Sequence, residues 1–301
     1  MLYNENMNKN ENTLPPWASQ IPEGAFISYA PTYKVGEYFD RFHKDFYKPV
    51  DFDALTFYFY DPTEHGYPED KTYPLITFLH GASNALEGDV CINYTGAEFY
   101  AKDDYQKTLG GAYLLIPLAN EYRDEDGELR GGWRDTPTKV VYELITDFIK
   151  NKMDGRCGKK VLIGNSAGAW MSFEMVNEYT SFFDALIPVG AGEIPDDKTL
   201  DRYDAENVSL FYAIGKHDEI NDYETLVRPR LSRLAAMKNC LIFTPEWVYN
   251  GDKGIASINF GYEMGQHCLV NPMHCNLMFD DGTPMDPRLP NGVAGWIANL
   301  L

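Results

Sequence analysis

One serine in this chain stands in a setting that could do chemistry. Gly164-Asn165-Ser166-Ala167-Gly168 follows the apolar run KVLI, Lys160 to Ile163, and opens the helical pattern Ala167 to Tyr179. Strand, G-x-S-x-G and helix together make a nucleophile elbow out of an otherwise common pentapeptide. The spacing has a steric reason. A tight strand-to-helix turn holds the serine in strained dihedrals, and the residues two away must lack side chains where the backbone crowds its neighbours. Gly164 and Gly168 meet that demand. The hydroxyl of Ser166 then projects above the sheet at a helix N-terminus.

A serine hydroxyl needs a base, and the base needs an orienting carboxylate. Around such an elbow the chain order is Ser, then Asp or Glu, then His. That order sets aside His43, His65, His80 and His217 and leaves His267 and His274. His267 follows Gly265-Gln266 in a loop after the β-like run SINFGY, whereas His274 sits among apolar residues in CLVNPMHCNLMF. His267 is therefore the expected base, with His274 as the alternative. The acid should follow a strand downstream of the elbow. Val208 to Ile214 reads as that strand and runs into Gly215-Lys216-His217-Asp218, so Asp218 is the expected acid, with Glu219 and Asp222 as competitors. Acyl transfer also needs donors for a developing oxyanion. The backbone N–H of Ala167 is one. The other is the N–H of Ala82, in the loop His80-Gly81-Ala82-Ser83-Asn84, where Gly81 lets the backbone turn. Trp133, in GGWRDTP, and Trp247 are candidates for a substrate pocket, with a packed Trp at a helix start as the alternative for the first and a core or surface position for the second.

These residues require a sheet to carry them. Ala54 to Tyr60, Tyr73 to Leu79, Ala112 to Leu118, Lys160 to Ile163, Asp184 to Val189 and Val208 to Ile214 read as strands. Several are almost continuously apolar, as strands buried on both faces are. Thr63 to Lys71 reads as a hairpin loop. Helices are expected after Thr136-Pro137, over Ala167 to Tyr179, over Glu224 to Lys238 and over Gly292 to Leu301, each with apolar residues at helical spacing. Gly81 to Gly111 reads as a loop-plus-helix connection. The alternation predicts a mostly parallel sheet covered on both faces, in the α/β class. Residues 1–20 are expected to form a flexible N-terminal arm and residues 21–301 one domain.

Composition bounds the function. The 301 residues carry a net charge of −19, with 44% hydrophobic and 14% aromatic residues. This composition excludes disorder for the bulk of the chain. So negative a charge disfavours phosphate backbones and anionic lipid surfaces, and neither a nucleic-acid nor a membrane partner is expected. The polar first twenty residues carry no signal-peptide pattern, so a cytoplasmic location is expected; a secreted chain trimmed of its leader would look the same. The five cysteines form no CxxC pair, and no metal or organic cofactor is expected.

Taken together, the oxyanion loop HGAS, the elbow GNSAG, the acid loop GKHD and the late GQH occur in the order of the α/β-hydrolase-fold serine hydrolases, which this chain resembles over Leu55 to Leu301. Within them, YPLITFLHGAS and the tail DDGTPMDPRLPNGVAGWI are most similar to bacterial esterases of the feruloyl- and acetylxylan-esterase type, related to prolyl-oligopeptidase catalytic domains. The resemblance implies a serine esterase working through an acyl-enzyme on a small ester, with a feruloyl or acetyl ester of a plant carbohydrate as the substrate class. A small peptidase of the prolyl-oligopeptidase type and a non-catalytic hydrolase-fold binding protein remain the alternatives.

Overall fold

The computed structural model describes residues 14–29 and 36–300. Its centre is an eight-stranded sheet. In chain order the strands are β1 (His43–Tyr47), β2 (Leu55–Tyr60), β3 (Tyr73–Leu79), β4 (Tyr113–Pro117), β5 (Cys157–Asn165), β6 (Ala185–Val189), β7 (Ser209–Ala213) and β8 (Cys240–Phe243). Their spatial order is β8-β7-β6-β5-β3-β4-β2-β1. Strands β3 to β8 run parallel, β2 lies antiparallel to β4, and β1 lies antiparallel to β2.

The continuous apolar runs follow from two covered faces. Along β3, Tyr73, Leu75 and Leu79 enter one core while Ile76 and Phe78 enter the other. Tyr113 and Leu115 of β4 oppose Leu114 and Ile116 in the same way. Alternate side chains of a strand point to opposite faces, so a strand with two cores cannot alternate with polar residues. The first face is covered by the helices α2 (Thr138–Lys152), α3 (Ala167–Glu178) and α4 (Asp197–Ala205), and the second by α1 (Asp103–Leu109) and α5 (Gly292–Ala298). Among the described residues no helix is long and apolar enough to cross a membrane.

Several expectations are corrected. Thr63 to Lys71 is not a hairpin loop, because β2 and β3 do not pair; β4 lies between them. The helix expected over Glu224 to Lys238 breaks into a π-turn, Tyr223–Val227, a 3-10 turn, Arg228–Arg230, and a short α-helix, Leu231–Ala235. Pro229 lies at the break, where its ring opposes the preceding turn and it has no N–H to give. The run SINFGY forms no strand; it holds only an isolated bridge between Asn259 and Glu263. Of the expected arm, residues 1–13 lie outside the described residues. The rest of it is not loose. Trp17 is 6% exposed and packs with Trp247 and Ile255 in a third, smaller core. Ile27–Ser28 then pairs in parallel with Ile255–Ala256.

Candidate active site

Three of the residues singled out above follow carboxyl ends of parallel strands of the central sheet, where open α/β sheets carry their sites. Gly81 comes after β3, Ser166 after β5 and Asp218 after β7. Ser166 lies between β5 and α3 with φ 53° and ψ −113°. A positive φ is costly for any residue with a side chain, and the surrounding backbone must enforce it. Here it does. The Ser166 N–H donates to the Val189 carbonyl of β6 (2.8 Å), and the Ser166 carbonyl accepts from the N–H of Ala169 (2.9 Å) and Trp170 (3.1 Å). A Cβ on Gly164 would collide with the Gly168 carbonyl, and one on Gly168 with the carbonyls of Leu79 and His80. Both glycines are demanded by the turn itself.

The structure brings Ser166, His267 and Asp218 into one hydrogen-bonded line. His267 Nε2 lies 2.9 Å from Ser166 Oγ, and His267 Nδ1 lies 2.8 Å from Asp218 Oδ2. The side chains of His267 and Asp218 are 4% and 0% exposed. The second carboxylate oxygen of Asp218 is also held: Oδ1 accepts from the N–H of Ile220 (2.9 Å) and Asn221 (2.7 Å). Asn221 Nδ2 in turn donates to the Gly190 carbonyl (3.1 Å). The imidazole thus has an acceptor for Nδ1–H on one side and a hydroxyl at Nε2 on the other. That arrangement can take a proton from the hydroxyl.

His274, the alternative base, lies elsewhere. It is 1% exposed and stacked on Phe99, with ring centroids 4.9 Å apart, and burial pushes its pKa down to about 3. Of the alternative acids, Asp222 caps the turn at Glu224 and Thr225, accepting their N–H groups. Glu219 accepts backbone N–H groups of Gln266 and His267 and does not meet the imidazole.

The loop after β3 is stitched from several sides. Gly81 N–H donates to Asn84 Oδ1 (2.9 Å). Ser83, with φ 67°, donates its N–H to Glu121 Oε1 (3.0 Å), and Ala85 donates to Glu121 Oε2 (2.9 Å). Burial raises the Glu121 carboxyl above its usual range. Among the described residues the N–H of Ala82 has no acceptor, and neither has that of Ala167 at the first position of α3. Two spare donors, one on each loop beside the serine, are what a developing oxyanion requires. His80 anchors the start of this loop. Its Nε2 accepts the Ala119 N–H (3.0 Å), which fixes the ring proton on Nδ1, 2.7 Å from the Gly81 carbonyl.

The expected pocket residues are corrected. Trp133 is 1% exposed, packs against the His80 ring and donates its indole N–H to the His80 carbonyl (2.8 Å). Trp247 is 4% exposed and stacked on His217 at 3.9 Å, with Trp17 also against it. Neither ring is open to a substrate; both are the packed alternative. Sequence reasoning missed Glu121 and the true part played by Glu219. A carboxylate that serves backbone N–H groups across the fold leaves no local pattern.

No protein-family model and no curated protein matches the chain. Solved structures do. A thermostable esterase is 18% identical with a TM-score of 0.58 over 79% of this chain; the chain spans 60% of that protein's length. The feruloyl esterase module from Clostridium thermocellum, solved with sinapinate, is 12% identical with a TM-score of 0.51, covering 75% of this chain and 88% of that one. With the strand order, the two covered faces and the strand-to-helix serine turn, these likenesses agree on one architecture: the chain has the α/β-hydrolase fold.

Proposed function

We propose that the protein is a serine esterase that cleaves a carboxylic ester through an acyl-enzyme. The observation that carries this reading is the unbroken line from Asp218 Oδ2 through the His267 ring to Ser166 Oγ, at 2.8 and 2.9 Å. His267 takes the Ser166 proton as Oγ attacks the ester carbonyl carbon. The carbonyl oxygen becomes an oxyanion that accepts from the N–H groups of Ala82 and Ala167. The imidazolium, stabilised by Asp218, returns the proton to the leaving alcohol as the C–O bond breaks. A water molecule, deprotonated by His267, then releases the acid and restores Ser166. The ester class is a feruloyl or acetyl ester of a plant carbohydrate. The motif resemblance supports it, and one structural neighbour is a feruloyl esterase module.

The test is a panel of esters from acetyl to feruloyl with wild type and Ser166→Ala, alongside a fluorophosphonate probe. The expected result is ester turnover, probe label on Ser166, and a kcat loss of ~10⁴-fold or more in the alanine variant. An alanine variant that keeps wild-type kcat overturns the reading. Anilides turned over in preference to esters would move it to a peptidase.

A further inference from the structure

His267 does not follow a strand of the sheet. It ends the loop after SINFGY, which forms no strand, so sheet hydrogen bonding does not fix its place. Two side chains do. Gln266, fully buried, accepts the Val248 N–H at Oε1 (2.7 Å) and donates from Nε2 to the carbonyls of Ala256 (2.8 Å) and Val248 (3.3 Å). Glu219 grips the same stretch from the acid loop. Its Oε2 accepts the N–H of His267 itself (2.7 Å), and its Oε1 accepts the Gln266 N–H (3.1 Å). A third donor reaches Oε1 from the far end of the chain, the indole N–H of Trp17 (3.0 Å). Asp218 and Glu219 are adjacent in sequence and hold one histidine at two ends, the ring and the main chain.

We propose that Glu219 is a positioning residue: its carboxylate sets His267 against Ser166 by holding the histidine's backbone N–H, and the Trp17 indole braces that carboxylate. The proposal rests on the esterase reading above for its kinetic consequence. Three N–H donors converge on a largely buried carboxylate, so its ionised form has the partners that burial demands. The carboxyl is nonetheless raised above its usual range, with burial as the main cause. The docking of residues 14–29 thereby becomes part of the site. Trp17 lies against Trp247, and Ile27–Ser28 runs beside Ile255–Ala256, on the segment that Gln266 ties down.

The experiment compares full-length wild type, Glu219→Gln and Trp17→Phe. It reads kcat and KM on p-nitrophenyl acetate, the rate of fluorophosphonate labelling at Ser166, the melting temperature, and the His267 Nδ1–H proton resonance. Glutamine keeps the size of the side chain but turns an NH₂ toward an N–H donor. Misplacement of a catalytic group by ~1 Å can cost ~100-fold, so kcat should fall about 10- to 100-fold at nearly constant KM, with labelling slowed in proportion. Trp17→Phe keeps a ring on Trp247 and loses one donor, and kcat should fall about 5-fold, the worth of one hydrogen bond. A merely structural glutamate would lower the melting temperature and leave the folded enzyme's kcat and labelling rate untouched; that result in Glu219→Gln overturns the proposal. If Glu219→Gln does not fold, Trp17→Phe decides: a fall in kcat at constant KM and melting temperature supports the brace, and an unchanged kcat overturns it. If wild type neither turns over esters nor takes the probe, the esterase reading fails by itself. The Nδ1–H resonance then judges the positioning: displaced in the variants it stands, unmoved it falls.

Discussion

Ser166 and His267 face each other across 2.9 Å, yet opposite kinds of structure hold them. The serine is fixed by backbone. Its strand has partners on both sides, its N–H reaches the next strand, and glycines clear the space around it. The histidine is fixed by side chains, Glu219 and Gln266, drawn from a loop and anchored to segments that are themselves short. Backbone-held geometry is rigid, and the residue types it demands lie close together in sequence. Side-chain-held geometry can be re-tied at another position, and it depends on contacts hundreds of residues apart, as between Trp17 and Glu219. The two halves should therefore break differently.

The sheet-held half should fail all at once. In Gly168→Ala the new Cβ meets the Leu79 and His80 carbonyls, which belong to a central strand and its loop and cannot give way. The expected cost is about 4 kcal/mol or more, at the upper end of overpacking effects, with activity lost in step. Urea unfolding and ester turnover check this together. A Gly168→Ala protein of wild-type stability would show that the turn tolerates a side chain.

This division also governs what the sequence can tell. Strand β3 coincides with the expected Tyr73 to Leu79, and β2, β4, β6 and β7 come within a residue of their expected ends. A strand buried on both faces must be apolar throughout, and that constraint is written locally. The elbow is legible for the same reason: its steric needs fall on residues two positions away. Edge strands escape such reading. β1 has only one neighbour and the sequence HKDFY, mostly polar and partly exposed. β8, at the other edge, is four residues long. His267 could be chosen over His274 by its loop setting. The carboxylate that holds its main chain could not be foreseen, because Glu219 looks identical to any acidic loop residue until residues 266 and 267 fold onto it. Trp247 illustrates the converse. Aromatic residues near a site read as pocket walls, but here they close a core behind the histidine loop.

The side-chain-held half should lose function with a smaller stability cost. Gln266→Ala removes three hydrogen bonds and orphans the Val248 N–H and the Ala256 carbonyl, while the Val248 carbonyl keeps the Ala256 N–H. At about 1.5 kcal/mol for each of these two groups, stability should fall by about 3 kcal/mol. Well below the new melting temperature, kcat should still fall. The elbow keeps its strained geometry, because none of its own bonds involves residue 266. A fluorophosphonate probe that needs the base should therefore label slowly. Full kcat in the folded variant would mean that Glu219 alone suffices to place the histidine.

The smallest expected effect concerns the loop after β3 and appears only on acidification. His80 is fully buried, and burial pushes its pKa down to about 4. The Ala119 N–H points at Nε2, so a second ring proton there would face a donor. In the unfolded chain the ring returns to the ordinary histidine value of ~6.5. A group depressed on folding contributes stability that is complete above its unfolded value and is lost as pH falls toward its folded value. From pH 7 to pH 5 this one ring should cost about 2 kcal/mol of stability by linkage. His274, also depressed by burial, acts in the same direction, whereas the carboxyls of Glu98, Glu121 and Glu219, raised by burial, act in the opposite one. The total pH slope therefore mixes several groups, and only a difference isolates His80. His80→Gln should be less stable than wild type at pH 7, through lost packing against Trp133, yet should lose about 2 kcal/mol less between pH 7 and pH 5. Denaturant midpoints at the two pH values give the comparison. Parallel slopes in the two proteins would mean that His80 meets acid without penalty, and that the loop carrying Ala82 does not depend on a neutral ring.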